Sequence, residues 1–235
     1  MKGRALAILL IGVIWGTLPA RATRVQDKHE QNLSWCKGSD VDLKMAGCTV
    51  LINSPEETPQ NLAIAYLNRG NALAENGQID IAIKDYDQAI KNNPLSAEAL
   101  SRRGFALEQK GEFDLAAQDS DQAIKLDPQN AKAIANRGYV RSHKKEFDAA
   151  IEDFNQAIKL EPNDARTYRL RASAYREKAQ YDLAIQDCDQ AIKLDPNDAL
   201  AYYVRGLSKQ KKGAKSGGKA DIAKAKELDP RVDRQ

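Results

Sequence analysis

Side chains that do chemistry are scarce in this chain. Its 235 residues include two histidines and three cysteines, and aromatic residues make up only 6%. His29 and His143 stand far apart, and neither has the neighbours of a catalytic triad. The cysteines match no zinc-ligand spacing, since His29 is the one imidazole near Cys36 and Cys48. Acids are plentiful, but most recur at fixed intervals, which points to structural use. On these residues the chain reads as a protein without catalytic residues, metal or cofactor.

An excess of one charge is missing too. Lysine and arginine number 36 against 33 acids, and Lys2, Arg4 and Arg21 account for the whole difference. A chain balanced beyond its first residues has no basic footprint for nucleic acid. Long apolar runs are also absent except for one, Ala5 to Leu18. Its 14 residues rise about 1.5 Å each, so they cover about 21 Å of a ~30 Å hydrocarbon core. Lys2 and Arg4 precede the run and Ala20-Arg21-Ala22 follows it, so residues 1–22 read as a signal peptide cleaved before Thr23. An uncleaved anchor is the rival reading. The expectation is an exported chain, periplasmic or secreted, with no stable membrane span after cleavage. Disulfides persist in such a compartment, so Cys36 and Cys48 are expected to pair within an N-terminal cap segment, residues 23–62. Two buried free thiols are the alternative.

Proline numbers eight, and five of these fall 34 residues apart: Pro94, Pro128, Pro162, Pro196 and Pro230. Ala63, Ala97, Ala131, Ala165 and Ala199 keep the same interval and open the units 63–96, 97–130, 131–164, 165–198 and 199–235. The phrase "DQAIKLDP" occurs at Asp121–Pro128 and again at Asp189–Pro196. Each unit predicts two amphipathic helices and a turn. In the eighth place stand Gly70, Gly104, Gly138, Ala172 and Gly206, and in the twentieth Ala82, Ala116, Ala150, Ala184 and Gly218. Small residues there let the two helices cross closely. Asp80, Asp114, Asp148, Asp182 and Ser216 are expected as N-caps of the second helices. The prolines stop those helices.

With these residues in place, the chain resembles the tetratricopeptide repeat (TPR) family. The unit length, the small-residue places and the closing proline carry the likeness from Ala63 to Pro230. The resemblance implies an all-α fold, a right-handed α-solenoid of stacked helix-turn-helix units. It also implies a scaffold or adaptor that binds a protein or peptide in a concave groove lined by first helices. An accessory subunit of an envelope enzyme or secretion complex is the alternative. By the resemblance, the inward places hold Asn68, Asn71, Arg102, Lys132, Asn136, Arg166 and Arg169, donors that suit carboxylates and extended peptide.

Departures from the pattern matter as well. Lys215, Gly217 and Gly218 weaken the last second helix, which marks a degenerate capping unit. Upstream, Leu43 to Pro55 parallels a second helix, with Cys48 aligned to Tyr86. "GAKSGGKA", Gly213 to Ala220, mimics a phosphate-binding loop, but Ala220 replaces the hydroxyl residue and no strand is expected before it. A further recurrence is charged. Arg69, Arg103, Arg137, Arg171 and Arg205 fill the seventh place, and Asp85, Asp119, Asp153, Asp187 and Asp221 fill the twenty-third. We expect a structural ladder of Arg–Asp pairs. The rival reading is a basic stripe that meets a ligand.

Overall fold

A computed structural model describes residues 20 to 234. Of the leader read in residues 1–22, only the last three fall among the described residues, where they open the first helix. Helices α1 (Ala20–Lys37) and α2 (Val41–Ile52) come first. The five units follow as α3 (Pro59–Glu75) with α4 (Ile79–Asn92), α5 (Ala97–Gln109) with α6 (Phe113–Leu126), α7 (Ala131–His143) with α8 (Phe147–Leu160), α9 (Ala165–Glu177) with α10 (Tyr181–Leu194), and α11 (Ala199–Lys211) with α12 (Lys215–Leu228). A short 3-10 turn, Val232–Arg234, closes the chain. Among the described residues there is no strand, and no helix is long and apolar enough to cross a membrane.

The helix starts correct one expectation. Asp80, Asp114, Asp148, Asp182 and Ser216 do not cap the second helices. Gln78, Glu112, Glu146, Gln180 and Ala214 hold those cap positions, and none of them makes a side-chain capping bond. The reason is the turn. Gly77, Gly111, Lys145, Ala179 and Gly213 take φ between 58° and 94°, and this left-handed residue feeds the chain directly into the next helix. The aspartates therefore sit inside the first turn. Four of them reach the lysine that ends the first helix of the next unit: Asp80 pairs with Lys110 at 2.8 Å and Asp114 with Lys144 at 3.1 Å, as do Asp148 with Lys178 and Asp182 with Lys212. Side-chain caps belong to the first helices instead. Thr58, Ser96, Asn130, Asp164 and Asp198 accept from the backbone N–H three residues on, at 3.0 to 3.2 Å, each worth about 1 kcal/mol.

Helix crossing within a unit follows a size rule. A Cβ placed on Gly70 would lie 2.7 Å from the Tyr86 ring, and one on Gly138 would lie 2.7 Å from the Phe154 ring. Where the facing residue is smaller, the glycine is looser or unnecessary. A Cβ on Gly104 would meet Ser120 at 3.4 Å, and Ala172 faces Cys188 within one buried cluster. In the last unit Gly218 sits against the Gly206 carbonyl, 2.7 Å from where its Cβ would be. Close approach there offsets the helix-weakening effect of glycine.

Contacts between units set the curvature. Consecutive first helices pack on one another, α3 on α5, α5 on α7, α7 on α9 and α9 on α11, whereas consecutive second helices do not touch. First helices therefore line the inner side. At the N-terminal end a disulfide joins Cys36 of α1 to Cys48 of α2. Both sulfurs are buried with Leu51 and with Ala65 of α3, so the α1–α2 hairpin stacks on the first unit. The sequence pattern marked α2 but not α1, whose polar run carries no repeat signature.

Candidate functional site

The recurrent arginines and aspartates meet. In every unit the arginine Nε and Nη2 donate to the two carboxylate oxygens of the aspartate sixteen residues on, at 2.6 to 3.1 Å. The aspartates are 3 to 7% exposed. The remaining nitrogen, Nη1, turns to the preceding helix pair. Arg103 donates to Asp87 at 2.7 Å, Arg171 to Asn155 at 2.6 Å and Arg205 to Asp189 at 2.6 Å. Arg69 reaches Thr49 at 3.3 Å, and Arg137 lies 3.5 Å from Asp121. Each guanidinium thus ties its own helix to two others, and all three of its nitrogens are engaged.

Two cavities bear on the residues expected in a groove. One, about 170 Å³, is lined by the cations Arg102, Lys132 and Arg166, the acids Glu161 and Asp164, and Ser101, Phe105, Ala135 and Asn136. The other, about 210 Å³, is lined by Tyr139, His143, Phe147, Arg169, Leu170 and Glu177 among others. Four of the seven residues expected in a groove therefore meet in one cavity, while Arg169 lines the second. Asn68 and Asn71 lie on α3, away from both, and the Asn71 carbonyl accepts from the Tyr86 hydroxyl at 3.0 Å.

Their roles differ. Asn136 is 2% exposed. It donates to the Ser101 carbonyl at 3.0 Å and accepts from Arg166 at 3.2 Å, so it braces the wall and its amide oxygen is occupied. Arg169 donates to Asp198 at 2.8 Å. Arg166 donates to Glu108 at 2.7 Å and lies over the Phe105 ring at 4.6 Å. Arg102 and Lys132 are left less engaged. Arg102 comes only within 3.6 Å of an exposed Glu98, and Lys132 makes no ion pair among the described residues. Buried polar atoms without hydrogen-bond partners gather here too: Arg102 Nε, Ser101 Oγ, Glu108 Oε1 and, one unit on, Ser142 Oγ. Four of the five such atoms among the described residues lie on this inner face, and buried groups of this kind need a partner from water or a ligand, or are strained.

Glu108, Phe105 and Ser101 went unnoticed in the sequence because their places do not repeat. The signal was there in negative form: an acid at the twelfth place, where the other units have Ala74, Ser142, Arg176 and Gln210. Burial, opposed by Arg166, pushes the Glu108 carboxyl up to about 8. Burial lowers His143 and raises Cys188, which keeps that thiol protonated. His143 is stacked on Phe113 at 4.2 Å, and no ion pair or hydrogen bond of its ring occurs among the described residues. "GAKSGGKA" forms the last turn and the start of α12, following a helix. No cluster of ligating side chains fit for a metal occurs among the described residues.

Comparison with known proteins agrees with this geometry. Models described as tetratricopeptide repeat match residues 67–131, 131–164 and 154–186, and one described as TPR repeat matches residues 172–213. No curated protein sequence matches significantly. Among solved structures, a MamA protein is 25% identical with a TM-score of 0.55, over 74% of this chain and 94% of that one. MamA from Desulfovibrio magneticus RS-1 is 24% identical with a TM-score of 0.57, over 72% and 96%. YrrB, described as a TPR protein with an unusual peptide-binding site, is 21% identical with a TM-score of 0.54, over 78% and 92%. From residue 67 to residue 213 the chain is an array of tetratricopeptide repeats, folded as an all-α solenoid.

Proposed function

We propose that this chain is an exported, non-enzymatic scaffold that holds a peptide or protein partner in its concave groove, with an acidic group of the partner between Arg102 and Lys132. One observation carries the reading. In the cavity of α5, α7 and α9, an unpaired lysine stands beside an arginine and a serine that each have a buried polar atom without a partner. An entering carboxylate would accept from these donors beside the apolar Phe105 and Ala135, with the acids Glu161 and Asp164, which also line the cavity, on its other walls. The peptide-binding site reported for YrrB belongs to that protein and lends the reading analogy only. The arginine–aspartate pairs act as internal ties, because their nitrogens are committed within the array. The Cys36–Cys48 disulfide supports an oxidising destination.

In-cell photocrosslinking tests the groove. A photoreactive residue in place of Lys132 should capture one defined partner, and the same probe at Gln118 on the outer face should not. Indifference to probe position would refute the groove. Export is tested by the N-terminus of the mature protein, which should be Thr23.

A further inference from the structure

Glu108 and Arg166 do something that no other pair here does. Hydrogen bonds and ion pairs among the described residues otherwise join helices of the same or adjacent units, as expected of a solenoid in which each repeat touches its neighbours. Glu108 and Arg166 are 58 residues apart and belong to the second and fourth units. The backbones of α5 and α9, which carry them, do not approach one another, so Arg166, reaching Glu108 and the Phe105 ring, makes the contact between these helices. The Arg166 side chain crosses over α7, accepted by the Asn136 amide oxygen at 3.2 Å and by Glu108 Oε2 at 2.7 Å. Its guanidinium is sandwiched toward Phe105 at 4.6 Å and Tyr139 at 5.7 Å.

We propose that the Arg166–Glu108 pair is a latch across the concave face, and that an acidic group of the bound partner opens it by taking Arg166 away from Glu108. This rests on the reading of the neighbouring cavity as an acidic-group site. Two observations support competition for Arg166. The latch is incompletely satisfied: the Glu108 side chain is 1% exposed, yet its Oε1 has no partner. A buried carboxylate held by one oxygen sacrifices much of its Coulombic gain to desolvation. Arg166 is also accessible, 26% exposed, and lines the same cavity as Arg102 and Lys132. An incoming carboxylate meets three cations there: Lys132 makes no ion pair among the described residues, and Arg102 has only the exposed Glu98 at 3.6 Å. Once Arg166 joins them, nothing spans the second and fourth units, and the groove can widen. Binding and curvature are then linked, because the ligand prefers the unlatched state.

The test pairs a distance with an affinity. Spin labels on Gln118→Cys and Gln186→Cys, exposed on α6 and α10, report the separation of the two units. The unsubstituted protein, treated alike, controls for Cys188. Hexaglutamate is the probe ligand. It should shift the distance distribution of the labelled protein toward longer values. Arg166→Gln should show the shifted distribution already and should not move further. Above about pH 8, where the parent Glu108 is ionised, Glu108→Gln, in which Arg166 is no longer claimed by a carboxylate, should bind hexaglutamate about threefold or more tightly. If Arg166→Gln fails to fold, Arg166→Lys keeps the charge and loses the two-point hold, and it should give the same distance result. Hexaglutamate binding with unchanged distances in every variant overturns the latch and leaves the groove standing. An absence of binding to both the parent and Glu108→Gln overturns the acidic groove, and this proposal falls with it.

Discussion

Glu108 sits in a demanding electrostatic position, a buried carboxyl with one cationic partner. The charged and titratable groups that face it are Arg166 of α9 and Tyr139 of α7, with Arg169 acting on the same tyrosine. Its carboxyl, about 4.5 when exposed, stands at about 8 in the fold. Between those values the folded chain binds more protons than the unfolded one, so this group lowers stability as the pH rises through that window. Burial lowers His143 below its usual 6.5, and its contribution runs the other way, with stability gained as the pH climbs toward that value. Taking the difference between the parent and Glu108→Gln removes the histidine effect. The melting temperature of the parent relative to the variant should decline from about pH 5 to about pH 8 and then level off. A flat difference would show that Glu108 is ionised throughout. The glycines give a second residue-scale test. Gly138→Ala forces a methyl against Phe154 and should cost about 1–3 kcal/mol. Gly104→Ala meets Ser120, Asp119 and the Ala116 carbonyl no closer than 3.4 Å, so lower backbone entropy in the unfolded chain should bring it close to neutral or slightly stabilising. Urea denaturation of the two variants decides it.

Helix pairs are held by two charge ladders of unequal weight. Asp153 is 4% exposed and receives both Arg137 and Arg141. Asp153→Asn removes the buried counter-charge shared by those cations, leaving Arg137 only the exposed Asp121 at 3.5 Å, and should cost about 3 kcal/mol, read as a drop in the urea midpoint. Asp148, 82% exposed beside Lys178, belongs to the outer ladder, and Asp148→Asn should leave the midpoint unchanged. Equal effects would mean that burial does not separate the two ladders. The inner one was legible in the sequence because both partners recur at every unit, so periodicity alone proposed the pairing. The outer one was not, since those aspartates also suit a helix start, and only the left-handed turn residue reveals where the helix begins. The first-helix caps, Ser96 to Asp198, hid at the joint between one unit and the next. Arg166 stood among the expected groove residues, but its partner lies two units away at a place no other unit repeats. A contact of that kind has no period to betray it.

On the scale of the whole molecule, stability is a sum over units and interfaces, so the ends are where it fails first. The α1–α2 hairpin buries little beyond its disulfide cluster, and it leans on a single neighbour, the first unit. Opening the short Cys36–Cys48 loop with the double substitution Cys36→Ala, Cys48→Ala should cost about 3 kcal/mol locally. Amide exchange should accelerate in α1 and α2 while α7 and α8 keep their protection. Uniform acceleration would mean that the array unfolds as one block. The third cysteine offers a different use of the same architecture. Cys188 is fully buried between α10, α9 and α11, and its thiol stays protonated. An alkylating reagent can reach it only in the instants when the fourth unit parts from its neighbours. The chain therefore carries its own clock, and the rate at which that one sulfur is capped counts how often the solenoid breathes.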